Sequence, residues 1–237
     1  MFDRHLRRLI FEWDVDNWSR ALRLWESILP STAPDGATAL EVGSRRGGIA
    51  LYLAHKGYHV VCSDVDNPAE FARPIHQAAG VASRIEYTAA NVTAMSFADA
   101  SFDVVAFKSV LGAVGRGGNT QLIAAAIAEM HRVLKPGGVL LFAENLAAGR
   151  MQMFLRRRFT SWAADWNYLT PQSMKEHFAA FEVTHFETFG VLANWGRTEF
   201  HRRLLHPIDL MLSPLTPKTQ HYIGYGYART GTRESSC

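Results

Sequence analysis

Residues 37–66, ATALEVGSRRGGIALYLAHKGYHVVCSDVD, constrain this chain more than any other stretch. A short apolar run, Ala39-Leu40-Glu41-Val42, meets Gly43, Gly47 and Gly48, residues that let a backbone turn sharply and approach a ligand closely. Ile49, Ala50, Leu51, Leu53 and Ala54 then recur at helical spacing up to Gly57, a natural helix stop, before a second apolar run, His59-Val60-Val61-Cys62. The pattern predicts a β-turn-α-β unit with its glycines in the first turn. Asp64 closes the second strand twenty-one residues after Gly43, where a carboxylate accepts hydrogen bonds from both hydroxyls of a ribose. Such a unit is the nucleoside-binding half of a doubly wound sheet.

The glycine spacing is not that of a dinucleotide site. A G-x-G-x-x-G loop needs its middle glycine so that the backbone can reach a pyrophosphate, and Arg45 stands in that place. The order Glu41-x-Gly43-x-x-x-Gly47 resembles instead motif I of the class I S-adenosylmethionine-dependent methyltransferases, E/D-x-G-x-G-x-G, whose cofactor carries no phosphate. Glu41, Gly43 and Gly47 match that motif and Asp64 matches its acidic ribose ligand, while Arg45 departs from the commonest pattern. The resemblance implies S-adenosyl-L-methionine as cofactor, held by Glu41, Gly43, Ser44, Gly47, Asp64 and Val65. Residues 91–97, NVTAMSF, look like the family's adenine-binding turn, D-x-x-x-L-P-F, with Asn91 in place of the aspartate. This implies Asn91 and Val92 as further cofactor contacts, although an ordinary Asx turn reads Asn91 equally well. Residues 131–138, HRVLKPGG, resemble the family's helix-to-strand turn, a structural feature that leaves His131 no catalytic part.

The rest of the chain fills in a sheet. Strands are predicted at 85–87, 102–107, 139–143, 181–189 and 221–228, separated by helical patterns over 68–80, 120–134 and 170–180. Lys108 follows the fourth strand, at the crevice where ligands of open α/β sheets sit, and is expected to border the cofactor. The fold class is therefore α/β: a Rossmann-like, doubly wound, seven-stranded and mostly parallel sheet whose last strand, by the resemblance, inserts antiparallel beside the fifth. The expected organisation is one methyltransferase domain over 1–237, with a helical cap (1–35), a cofactor-binding core (36–145) and a substrate-side insert with the terminal hairpin (146–237). In the cap, Trp13, Asp16 and Trp18 are candidates to touch the cofactor, against the plainer reading that aromatics at helical spacing seat a helix on the sheet. Asp16 or Asn17 is a plausible cap for a helix there, and residues 197–215 read as helix broken by Pro207 and Pro214.

Composition narrows the remaining choices. With 48% hydrophobic residues over 237 positions the chain can build a core without staples, and its two cysteines, Cys62 and Cys237, are too few for a disulfide framework. A reducing cytoplasm is the expected setting, with neither a signal-peptide core nor a run of some 18 apolar residues. A net charge of +3 is diffuse, and no nucleic-acid partner is expected. No zinc or serine-hydrolase motif is present, so no metal is expected. The acceptor is expected to be a small-molecule hydroxyl, on a sugar or a lipid-linked compound, with Trp162, Trp166, Tyr168 and Trp195 stacking on it and Arg157 in the triplet 156–158 holding an anionic group. The basic, aromatic stretch 150–166 also suits peripheral contact with a membrane. His201 and His206, in the insert before the last strand, are the candidate bases. A nitrogen acceptor, or a protein that binds the cofactor without turnover, stays open as an alternative.

Overall fold

The computed structural model describes residues 2–159 and 165–232. Strands β1 (Thr38–Val42), β2 (His59–Asp64), β3 (Ile85–Ala89), β4 (Phe102–Lys108), β5 (Leu134–Asn145), β6 (Val183–Phe189) and β7 (Ile223–Arg229) form one sheet in the order β3-β2-β1-β4-β5-β7-β6. The first five are parallel, and β7 runs antiparallel to both β5 and β6. The central strands β1 and β4 are covered on both faces, which is why they read as continuous rather than alternating apolar runs. Leu134 pairs with Phe102 and Val139 with Val104, so the turn 135–138 loops out between two ladder positions, with Gly137 at φ 75°.

The helices are α1 (Arg4–Phe11), α2 (Val15–Ile28), α3 (Gly48–His55), α4 (Ala69–Ala78), α5 (Leu111–Val114), α6 (Thr120–Val133), α7 (Arg150–Phe159), α8 (Pro171–His177) and α9 (Glu199–Leu212). One face of the sheet packs on α1, α2 and α3 through Phe11, Trp18, Trp25 and Tyr52, all fully buried. The other packs on α6 and α8 through Ile127, Met130 and Phe178 against Phe107 and Phe142. The Trp25 indole N–H donates to the Gly226 carbonyl at 3.0 Å, which fastens the N-terminal cap across the sheet to β7.

Two local expectations need correction. Neither Asp16 nor Asn17 caps α2: the helix starts after Asp14, and the Glu199 carboxylate accepts from the Asp14 and Val15 N–H groups there. Pro207 does not break α9, which runs through it to Leu212, since a proline removes one helical donor but can be absorbed where neighbours hold the helix in place. In α4 the buried face is Ala72 and His76, while Phe71 is 62% exposed.

Candidate active site

The loop after β1 crosses into left-handed backbone at Gly43 (φ 63°), Arg45 (φ 52°) and Gly47 (φ 71°). A side chain tolerates that conformation poorly, and Arg45 is held there because its N–H donates to Asp64 Oδ2 at 2.7 Å. At Gly47 no side chain fits, since a Cβ would lie 2.5 Å from His76 Cε1. His76 is fully buried, with Nε2 2.8 Å from the Gly47 carbonyl and Nδ1 2.9 Å from the Tyr87 hydroxyl. Burial lowers its pKa, so the neutral ring donates to Gly47 O and accepts from Tyr87.

Glu41 closes the loop from below. Its carboxylate accepts from Ile49 N at 3.0 Å and Ala50 N at 2.8 Å, two of the first-turn donors that α3 leaves unpaired. Only 4% of it is exposed, and that burial pushes its carboxyl up to about 8 against the two bonds that favour ionisation.

Across from the loop, the chain leaves β4 through Lys108 and turns at Ser109, a residue at φ 57°. Two contacts hold this turn: Glu144 Oε2 accepts from Leu111 N at 2.7 Å, and Asn145 Nδ2 donates to Ser109 Oγ at 2.9 Å. Glu144 is fully buried and its carboxyl is raised to about 7 by that burial. The Lys108 ammonium lies 4.9 Å from the centre of the Trp13 ring and 4.8 Å from that of Trp18. Burial between the two indoles lowers it to about 8, against the attraction of Glu12, Glu144 and Asp14.

Between these walls lies a cavity of about 550 Å³. Gly43, Ser44, Arg45 and Glu41 form one side, Lys108, Ser109 and Asn145 the other, and Trp13, Arg116 and Trp166 the rim. The Trp166 indole lies directly over Gly112, where a Cβ would come within 1.8 Å of its Nε1.

Of the residues singled out from the sequence, Glu41, Gly43, Ser44, Lys108 and Trp166 meet at this cavity, and Trp13 joins them from the cap. Gly47 and Asp64 sit just behind as the supports of the loop. Val65 is 72% exposed beyond the end of β2. Asn91 forms the Asx turn that was its plainer reading: its Oδ1 accepts from both the N–H (3.0 Å) and the hydroxyl (2.8 Å) of Thr93. Those two bonds occupy the two acceptor positions of the oxygen, and the Nδ2 donor remains. Val92 is half-buried beside it.

The two histidines are not at the cavity. His201 is exposed at the start of α9, and His206 Nδ1 is engaged with Asn17 Oδ1 while burial lowers its pKa. Both lie on α9, which rests on α2 rather than on the end of β4. Trp195, 42% exposed, lines a separate small pocket with Val191 and Gln220. Tyr168 stacks beneath the Arg156 guanidinium at 4.8 Å and does not line the cavity. Trp162 and the side chain of Arg157 lie outside the described residues. His76 and Glu144 were not found by sequence reasoning; the only signal was Glu144 at a strand end.

Residues 40–142 match the family described as Methyltransferase domain. A C-methyltransferase of ubiquinone and menaquinone biosynthesis, UbiE of Shewanella oneidensis, is 31% identical over 128 residues, 52% of this chain and 49% of that one. The chain thus spans about half the length of the curated relatives it matches. Among solved structures, a S-adenosylmethionine-dependent methyltransferase from Methanosarcina mazei superposes with a TM-score of 0.63 at 19% identity, covering 88% of this chain and 97% of that one. Phosphoethanolamine N-methyltransferase 2 of Haemonchus contortus, in complex with S-adenosyl-L-methionine, superposes with a TM-score of 0.66 at 15% identity, covering 96% and 56%. The matched segment, the glycine loop and the sheet order together make residues 40–142 similar to the methyltransferase domain of class I S-adenosylmethionine-dependent enzymes.

Proposed function

We propose that the cavity between the glycine loop and the end of β4 transfers a methyl group from S-adenosylmethionine to a hydroxyl oxygen of a small planar molecule, a phenol or an enol. The observation that carries this reading is the Lys108 ammonium, held between two indoles on the wall facing the glycine loop. Among the described residues no carboxylate lies within ion-pair distance of it.

The residues fit the cofactor. Asp64 Oδ1 and Oδ2 each accept one backbone N–H, from Val65 and Arg45, and each keeps a further acceptor position for a ribose hydroxyl. The backbone of Gly43 and Ser44 supplies the surface for the methionine part. Asn91 Nδ2 can donate to a ring nitrogen of adenine. When bound, the cofactor supplies a methyl group on a cationic sulfur. The chain then has to hold an acceptor in line with that carbon and exclude water, the two effects that lower such a barrier most.

Lys108 takes over the part expected of the histidines. An amine near pKa 8 exchanges a proton close to neutral pH and, when charged, holds an oxyanion. Trp13 and Trp166 line the same cavity with aromatic rings. A sugar has less support, because Tyr168 and Trp195 stand away from the cavity. A second reading, methylation of the ring carbon next to the hydroxyl, draws on the C-methyltransferase relatives and uses the same Lys108-held oxyanion, whose charge spreads onto that carbon. Incubation with methyl-labelled cofactor and a panel of phenols and enols, scored by S-adenosylhomocysteine release and by the position of label in the product, tests both. Release with alcohols or amines alone would refute the acceptor class.

A further inference from the structure

Helix α9 turns both of its acids inward. Asp209, fully buried, accepts from the N–H groups of Val191 (3.0 Å), Leu192 (2.6 Å) and Ala193 (3.0 Å), and Glu199 reaches the start of α2. On the opposite side Phe200, Leu204, Ile208 and Met211 recur every three or four residues, and Leu215 continues the row in the next turn. Their exposures are 67, 59, 42, 72 and 81%. At roughly 100° per residue the four on the helix fall within an arc of about 80°. A stripe of large apolar side chains this contiguous is unlike the scattered exposed residues of an ordinary surface.

The exposed charges along this stretch of chain have one sign. Arg197, Arg203 and Lys218 are exposed, and between residues 197 and 220 no acid is. Arg150, at the start of α7, adds to this rim, since it shares a small pocket with Trp195 and Gln220. Trp195, just ahead of α9, is an indole of the kind that settles at a membrane interface.

We propose that this face of α9 seats the protein on an anionic lipid surface, with the helix lying in the plane of the headgroups. An apolar stripe flanked by cations is what such a surface recognises: the side chains enter the acyl boundary while the arginines and lysine meet lipid phosphates. A second copy of the chain, packed face to face, would bring the same cations against one another with no acid to offset them. From the sequence, membrane contact was expected of 150–166; the face proposed for it is that of α9. On the inner side of the helix the Arg202 guanidinium lies 5.4 Å from the ring of Trp13, one of the residues that line the reaction cavity.

The test is flotation of the full chain with vesicles of phosphatidylcholine alone or mixed with phosphatidylglycerol. The expected result is binding to the anionic vesicles only, weakened by salt, with tryptophan emission moving to the blue. Leu204→Ser/Ile208→Ser/Met211→Ser should bind about tenfold or more weakly, with its melting profile and S-adenosylhomocysteine affinity unchanged. Arg203→Glu, on the rim, should also weaken binding if the triple variant proves unstable. Wild-type protein that ignores anionic vesicles, or variants that float as it does, would overturn the proposal. So would a dimer in sedimentation that the triple variant abolishes without any vesicle binding, and failure here would leave cofactor binding untouched.

Discussion

Replacing Glu41 by Ala should destabilise the protein in a pH-dependent way. Two opposed effects set the size. The variant strands the N–H groups of Ile49 and Ala50 in a buried helix start, which costs about 1–3 kcal/mol each. It also relieves the cost of burying a carboxyl whose pKa is raised from 4.5 to about 8. A group with a raised folded-state pKa contributes its stability in full below the unfolded value and loses it as pH rises through the folded one. The wild-type carboxyl therefore helps most under acid conditions and least near pH 8. Between about pH 5 and pH 8 the slope approaches 1.4 kcal/mol per pH unit, so the stability gap between wild type and Glu41→Ala should widen by roughly 3 kcal/mol on acidification. At roughly 2–4 °C per kcal/mol for a chain of this size, that is about 6–12 °C in the difference of melting temperatures. Glu41→Gln keeps one acceptor and no titration, so its gap to wild type should widen on acidification in the same way, while its difference from Glu41→Ala should not change with pH. Melting curves of the three proteins across this range decide the matter. A gap for Glu41→Ala that is the same at pH 5 and pH 8, or larger at pH 8, would refute the reasoning.

Lys108→Met should leave S-adenosylhomocysteine affinity within about twofold while lowering kcat/KM on the acceptor by about 100-fold. The wild-type pH–rate profile should show a limb near the lowered lysine pKa that is missing in the variant. The groups facing Lys108, namely Glu12, Asp14, Arg45 and Glu144, stay in place in that comparison. Gly47→Ala puts a Cβ 2.5 Å from His76 at φ 71°, which combines backbone strain with overpacking and should cost about 2–4 kcal/mol in chemical denaturation.

What was readable in the sequence was local. The glycine loop, Asp64 and the alternation of apolar runs with helical patterns are features of neighbouring residues, and they led to the sheet and to the loop side of the cavity. What was missed depends on distant partners. His206 belongs to a pairing with Asn17, 189 positions away, and no periodicity reveals that it is already engaged. Glu144 supports the turn at Leu111 from the adjacent strand, and His76 supports Gly47 from the next helix. Lys108 lines the cavity, but its two indole neighbours come from the N-terminal cap, so its surroundings appeared only in three dimensions. Pro207 misled because helix-breaking is a local tendency that tertiary contacts override.

The central claim is that the glycine loop and Asp64 hold S-adenosylmethionine, and calorimetric titration with S-adenosylhomocysteine tests it directly. Wild-type protein should bind saturably, and Asp64→Ala, which loses charge-assisted bonds of about 1.5–3 kcal/mol, should bind about tenfold or more weakly. Wild-type protein that shows no binding, or a variant that binds as tightly, would contradict it.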